Sequence, residues 1–312
     1  MKSTKRRYAA GSGLNMLLFL LVLFLILPVG EAASEAPQYI ENAWNYVDGS
    51  MDISGGIPSD ATGRLGRIRN AGKLTVATSP DYPPQEFIDD TREGQARYVG
   101  ADMELARRIA ERMGVELEIV PMEFAEVLSA IAEGKYDLAI SALSFTSGRA
   151  AILEMSKGYY YSGEPATSGV LIREESAGDI RQVSDLAGRD IVAQSGSLQE
   201  TMAAENIIYY RKFRRLATYE DVYQAVLTGK ADAGVVDVGN ARVYIEGHPG
   251  CGLTIAEGIF FSLQPEYQGD RVAAKKGDIP LIYFVNGVID ELLESGQYNE
   301  WYEQYADYSS RN

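Results

Sequence analysis

The segment FAEVLSAIAEGKYDLAISAL (124–143) recurs without gaps as YEDVYQAVLTGKADAGVVDV (219–238), at a constant offset of 95 residues. Phe124 corresponds to Tyr219, Val127 to Val222, Ala130 to Ala225, Gly134-Lys135 to Gly229-Lys230 and Asp137 to Asp232. In each copy apolar residues recur at helical spacing up to a glycine that stops the helix, and a buried strand follows. A shorter echo precedes each copy: VATS (76–79) and VAQS (192–195). A chain that carries the same helix–stop–strand unit twice in the same order is expected to build two similar halves.

Around the first copy, strands are predicted at 74–78, 116–120 and 136–143, with helices at 100–114 and 124–132. That alternation implies an α/β fold with mostly parallel sheets covered by helices. Such sheets bind ligands beyond the carboxyl ends of their strands. If the halves face each other, those ends line one cleft, with Ser79, Ser141 and Ser144 on one wall and Ser195, Ser197 and Asp237 on the other. The chain is expected to cross between halves twice, near Gly163–Leu171 and again near Tyr267–Lys275. After the return, 281–305 reads as helix, with Val285, Val288, Ile289 and Leu292 as its apolar stripe and Gly296 as a break. Residues 73–166 and 272–312 then form lobe one, and 167–271 form lobe two, inserted within it. The 34–63 stretch is rich in Ser, Gly, Asp and Pro, so 33–72 reads as a loosely packed linker or N-terminal arm.

The first 32 residues are set apart. Lys2, Lys5, Arg6 and Arg7 precede an apolar run from Leu14 to Leu27, then Pro28, Gly30 and small residues at Ala32 and Ala33. That order predicts a secretory signal peptide, 1–32. Fourteen helical residues span roughly 21 Å, short of a bilayer core of about 30 Å, although an uncleaved membrane anchor stays open as the alternative. The protein is expected in the periplasm or at another extracytoplasmic face. Its formal charge is −15, and the leader carries four bases against the single acid Glu31, so the remainder is more acidic still. That surface excludes nucleic acid as a partner. The one cysteine, Cys251, rules out an internal disulfide. His248 and Cys251 share a Gly/Pro-rich loop and lack the partners for a catalytic triad or a zinc site, so no metal and no cofactor are expected.

Five segments, in order, resemble the family 3 extracellular solute-binding proteins that deliver amino acids to ABC importers: KLTVATSPDYPPQEF (73–87), YVGADMELARRIAERMG (98–114), GKYDLAISALSFTSGRA (134–150), QSGSLQE (194–200) and GKADAGVVDV (229–238). The resemblance covers about Lys73 to Asp307. It implies a two-lobed periplasmic-binding-protein-like fold of type II with two hinge crossings, an amino acid as ligand and an ABC permease as membrane partner. It implies a monomer that opens and closes, and no enzyme.

The same resemblance implies roles. Arg149 would clamp a ligand α-carboxylate with its planar fork, and Asp237 would hold the α-ammonium. Ser141, Ala142, Leu143 and Ser144 would form a polar cradle. Gln194, Ser197 and Leu198 would add contacts from lobe two, including helix N-terminal N–H groups. Tyr82 and Phe124 would sandwich the ligand side chain. Ser79 stands where basic-amino-acid binders carry aspartate, with Asp81 as the candidate substitute, and Gln85 stands where phenylalanine is usual. These departures point to a neutral polar or aromatic ligand side chain ahead of Lys or Arg. Two other readings stay open: a related enzyme such as a cyclohexadienyl or arogenate dehydratase, and a sensory binding module.

Overall fold

The computed structural model describes residues 49–162, 168–262 and 268–309. The expected leader, most of the expected arm, residues 163–167 of the first crossing and Tyr267 of the second lie outside these residues.

Helix α1 (Gly63–Ala71) leads into β1 (Lys73–Thr78). A small antiparallel sheet follows, made of β2 (Asp81–Tyr82), β3 (Glu86–Ile88) and β4 (Tyr98–Val99). Next come α2 (Ala101–Met113), β5 (Glu116–Pro121), α3 (Phe124–Glu133), β6 (Leu138–Ser144), α4 (Ser147–Ile152) and β7 (Leu153–Met155). The second half holds β8 (Ser168–Arg173), β9 (Asp190–Gln194), α5 (Leu198–Asn206), β10 (Lys212–Leu216), α6 (Tyr219–Leu227), β11 (Ala233–Asp237), α7 (Val238–Gly247) and β12 (Leu253–Phe261). The chain then returns through β13 (Asp270–Lys275), α8 (Ile279–Ser295) and α9 (Gln297–Ser309).

Two five-stranded sheets result, in the orders β5-β1-β6-β13-β7 and β10-β9-β11-β8-β12. In each, three parallel strands are followed by two antiparallel neighbours. The repeated unit supplies the middle strand of each sheet, β6 in one and β11 in the other. Its aspartate does the same work twice. Asp137 Oδ2 accepts the backbone N–H of Thr75 at 2.9 Å, and Asp232 Oδ2 accepts that of Asp190 at 2.7 Å. Each therefore fastens the start of the repeat strand to its parallel neighbour, β1 in one sheet and β9 in the other.

The helices end where the glycines require it. Gly114 and Gly134 lie at φ 68 and 77, and their N–H groups return to the last turns of α2 and α3. The α2 stripe of Met103, Ala106, Ile109 and Met113 is buried. Val285, Val288, Ile289 and Leu292 of α8 pack in the first lobe's core, and Gly296 separates α8 from α9.

One expectation is corrected here. Residues 51–71 are not a loose arm: Ile53, Ile57, Leu65 and Ile68 are buried in the first lobe's core. Arg64 of α1 pairs with Asp137 and Asp278 at 3.2 and 3.0 Å and donates to the Gly134 carbonyl. The segment crosses α8 at Gly287, where an added Cβ would lie 2.4 Å from the Met51 carbonyl oxygen. Its few apolar residues are spread among turn-formers, and that spacing hides their burial from a periodicity reading.

Candidate functional site

A cleft of about 320 Å³ lies where the carboxyl ends of β1, β6, β9 and β11 converge. Of the residues expected there, Tyr82, Phe124, Ser141, Ala142, Ser144, Arg149, Gln194, Ser197, Leu198 and Asp237 line it. Ser79, Leu143 and Ser195 do not. Ser79 is buried, with its N–H donating to Ser141 Oγ at 3.0 Å and its hydroxyl to Asp81 Oδ1 at 2.9 Å. Leu143 is fully buried among Ala77, Phe124, Val127 and Ala139. Leu143 packs with Ala139 on the α3 side of the sheet, away from the cleft.

Arg149 sits in the first turn of α4, and its own N–H is capped by Thr146 Oγ1. Its guanidinium donates to the Ser144 carbonyl at 2.8 Å and, across the cleft, to the Gly196 carbonyl at 3.1 Å. Its carbon lies 5.4 Å from the centre of the Phe124 ring, so Phe124 serves the core and the cleft together. Burial lowers the Arg149 pKa to about 10. No carboxylate pairs with it among the described residues, which leaves its remaining N–H donors for an anion.

Asp237 ends β11 and caps α7 by accepting the Asn240 N–H at 2.9 Å. Ser197 likewise caps α5: its hydroxyl accepts from Glu200 N–H at 3.0 Å and donates to the Gln194 carbonyl at 2.8 Å. The Ser197 N–H also turns back to that carbonyl, so it is not free for an anion as expected. Ser141 and Ala142 are held from behind. The Ser141 hydroxyl donates to Glu86 Oε1 at 2.9 Å, and the Ala142 N–H donates to Asp102 Oδ2 at 2.8 Å. Ala142 has φ 47, a left-handed conformation that a non-glycine residue holds only when its surroundings impose it. Asp102 imposes it.

The lobes also touch directly. Asp81 Oδ2 accepts from Gln194 Nε2 and from the Tyr219 N–H, both at 2.9 Å. Asn240 Nδ2 donates to the Pro83 carbonyl at 2.8 Å, and the Tyr82 and Tyr219 rings lie 5.2 Å apart. Asp81 is thus occupied by neutral donors rather than standing in for a carboxylate at position 79.

Sequence reasoning missed Asp270, Tyr160 and Tyr302, which also line the cleft. Asp270 and Tyr160 sit where the chain passes between the sheets, and neither belongs to a repeat or motif. Gln85 did carry a signal, as a departure from the family pattern; its Nε2 donates to Asp270 Oδ2 at 2.6 Å.

Burial raises the Asp237 carboxyl to about 6, partly opposed by the Asn240 N–H and the Tyr82 hydroxyl. Burial, then the charge of Asp102, raises Asp270 to about 7. A carboxyl whose folded pKa exceeds its unfolded value, near 4, holds its proton more tightly in the folded state. The resulting stability is full below about pH 4 and is lost as pH rises through 6 to 7. The melting temperature of the unliganded protein is therefore expected to fall more steeply between pH 4 and 7 than that of an Asp237→Asn/Asp270→Asn variant. Parallel melting curves for the two would disprove the coupling.

Residues 74–308 match the bacterial extracellular solute-binding proteins, family 3. The chain is 31% identical to the cyclohexadienyl dehydratase of Pseudomonas aeruginosa over 189 residues, covering 60% of this chain and 67% of that one. It is 27% identical to the arginine-binding extracellular protein ArtP of Bacillus subtilis, covering 72% and 82%. Among solved structures it is similar to the amino acid ABC transporter substrate-binding protein AbpA of Streptococcus pneumoniae bound to L-arginine. That match has 32% identity and a TM-score of 0.69 over 78% of this chain and 98% of that one. With the two sheets, the shared cleft and a family match over most of its length, the chain belongs to the bacterial extracellular solute-binding proteins, family 3.

Proposed function

We propose that the protein captures an α-amino acid between its lobes outside the cytoplasm and delivers it to the permease of an ABC transporter. The observation that carries this reading is the pairing of Arg149 and Asp237 across one cleft. The first is a cation of lobe one without a carboxylate partner among the described residues, and the second is an anion of lobe two at a strand end. A zwitterion answers both, and the cleft volume suits a ligand of that size. Tyr82 and Phe124 flank the side chain in this reading, while Ser144 and Leu198 complete the walls. Relatives named for binding arginine support it. Residues 1–32 act as the export leader, and the protein works as a monomer.

Calorimetry of the purified protein against the twenty amino acids is expected to give one-to-one binding for at least one of them. Heat absent for all twenty would defeat the reading. The second reading, a dehydratase, is favoured by Asp270, whose carboxyl is raised to about 7, within the range an acid catalyst needs. Incubation with prephenate or arogenate, followed by absorbance, separates the two. No turnover is expected, and steady product formation would make the protein an enzyme.

A further inference from the structure

The cleft has a second charged end that the zwitterion does not use. Asp270 opens β13 and is fixed through its backbone on both sides. Its N–H donates to the Tyr160 carbonyl at 3.0 Å, and its carbonyl accepts the Tyr159 N–H at 2.9 Å. Its carboxylate accepts from Gln85 Nε2 and from no cation among the described residues. The rings of Tyr160 and Tyr302, stacked at 4.3 Å and 19°, line the same cleft. Both phenols are raised by burial first and also feel the charge of Asp270. A carboxylate beside tyrosine rings draws cations by charge and by ring quadrupole.

The charges along the cleft point the same way. Asp81, Glu86, Asp237 and Asp270 face it, against Arg149 and Arg242. Three neutral donors saturate Asp81. Burial and then the charge of Asp102 raise the Glu86 carboxyl well above the usual carboxylate range, and Ser141 donates to it from behind the cleft. If Arg149 takes the α-carboxylate and Asp237 the α-ammonium, Asp270 remains. A ligand with a neutral side chain would enclose that carboxylate unpaired, which is unfavourable; a basic side chain would pair it.

We propose that Asp270, positioned by Gln85, selects the ligand side chain, and that it selects a basic one bearing an ammonium or guanidinium group. This inference rests on the amino-acid-carrier reading above. It reverses the expectation drawn from Ser79, because the selecting carboxylate comes from the start of β13 instead of the end of β1. The two departures noted in the sequence then belong together: the aspartate is absent after β1, and Gln85 replaces an apolar ring to orient its substitute.

The test is calorimetry with L-arginine, L-lysine and L-glutamine on the wild type, Asp270→Asn and Gln85→Leu, with thermal melts to confirm that each variant folds. The wild type is expected to bind one of the basic amino acids at least about tenfold more tightly than glutamine. Asp270→Asn is expected to shrink that ratio by about tenfold or more while glutamine affinity stays within about threefold. Gln85→Leu should shrink the ratio less, and it reads the same quantity should the asparagine variant fail to fold. A wild type that prefers glutamine, or variants that keep the basic preference, overturn the inference and leave the carrier reading standing. A folded wild type that binds no α-amino acid overturns both.

Discussion

Arg149→Ala is expected to weaken amino-acid binding by about 30-fold to several thousand-fold, because losing one partner of an enclosed charged contact costs on the order of 2–5 kcal/mol. Arg149 is 9% exposed, and its guanidinium is held by two carbonyls and backed by Phe124. Its orientation is therefore set before a ligand carboxylate arrives, and little is lost in ordering it. Asp237→Ala should fall in the same range, through the opposite end of the ligand. Arg149→Ala loses a contact with Phe124 and Asp237→Ala loses the α7 cap, at about 1 kcal/mol, so both variants should still melt cooperatively, slightly below the wild type. Calorimetry on each reads the result, and binding within about threefold of wild type would mean that the ligand lies elsewhere.

The largest expected loss of stability comes from Asp102→Ala, on the order of 3–5 kcal/mol. Asp102 is fully buried and joins four parts of lobe one. Tyr298 of α9 donates to it at 2.6 Å, Tyr159 at 2.9 Å and the Ala142 N–H at 2.8 Å, and burial together with its charge raises the neighbouring Glu86 carboxyl. Alanine would leave two buried hydroxyls and a backbone N–H without their acceptor, each a desolvated group with nothing to replace water. For a chain of this size the melting temperature should fall by roughly 6–15 °C. The cleft should suffer as well, since Ala142 would be free to leave its left-handed conformation. A melting temperature within about 2 °C of wild type would show that the tyrosines find other partners.

The architecture was readable because it rests on local, repeated chemistry. A helix stripe, a glycine stop and an apolar strand leave the same trace in both lobes, and Asp137 and Asp232 lie in that trace for the same reason. The positions of Arg149 and Asp237 at the cleft were readable through flanking motifs. That of Asp270 was not, because it reaches the cleft only when β13 returns beside β6 and meets Gln85, which is 185 residues away in sequence. Ser79 and Leu143 were misplaced for a related reason. Proximity to a strand end does not say which way a side chain turns, and the kink at Ala142 interrupts the alternation on which that reading depends. The burial of Ile53 and Ile57 was hidden by the turn-rich residues around them.

Asp81 gives the protein a separation of two properties that a receptor ordinarily adjusts together. Its hydrogen bonds to Gln194 and Tyr219 belong only to the arrangement in which the lobes meet, and they involve no ligand atom. In the carrier proposed above, they would set how readily the lobes meet and so scale the apparent affinity for every ligand by a common factor. Asp270 touches one part of the cleft and re-ranks ligands against each other. A change at the first alters how much solute is held at a given concentration; a change at the second alters which solute it is.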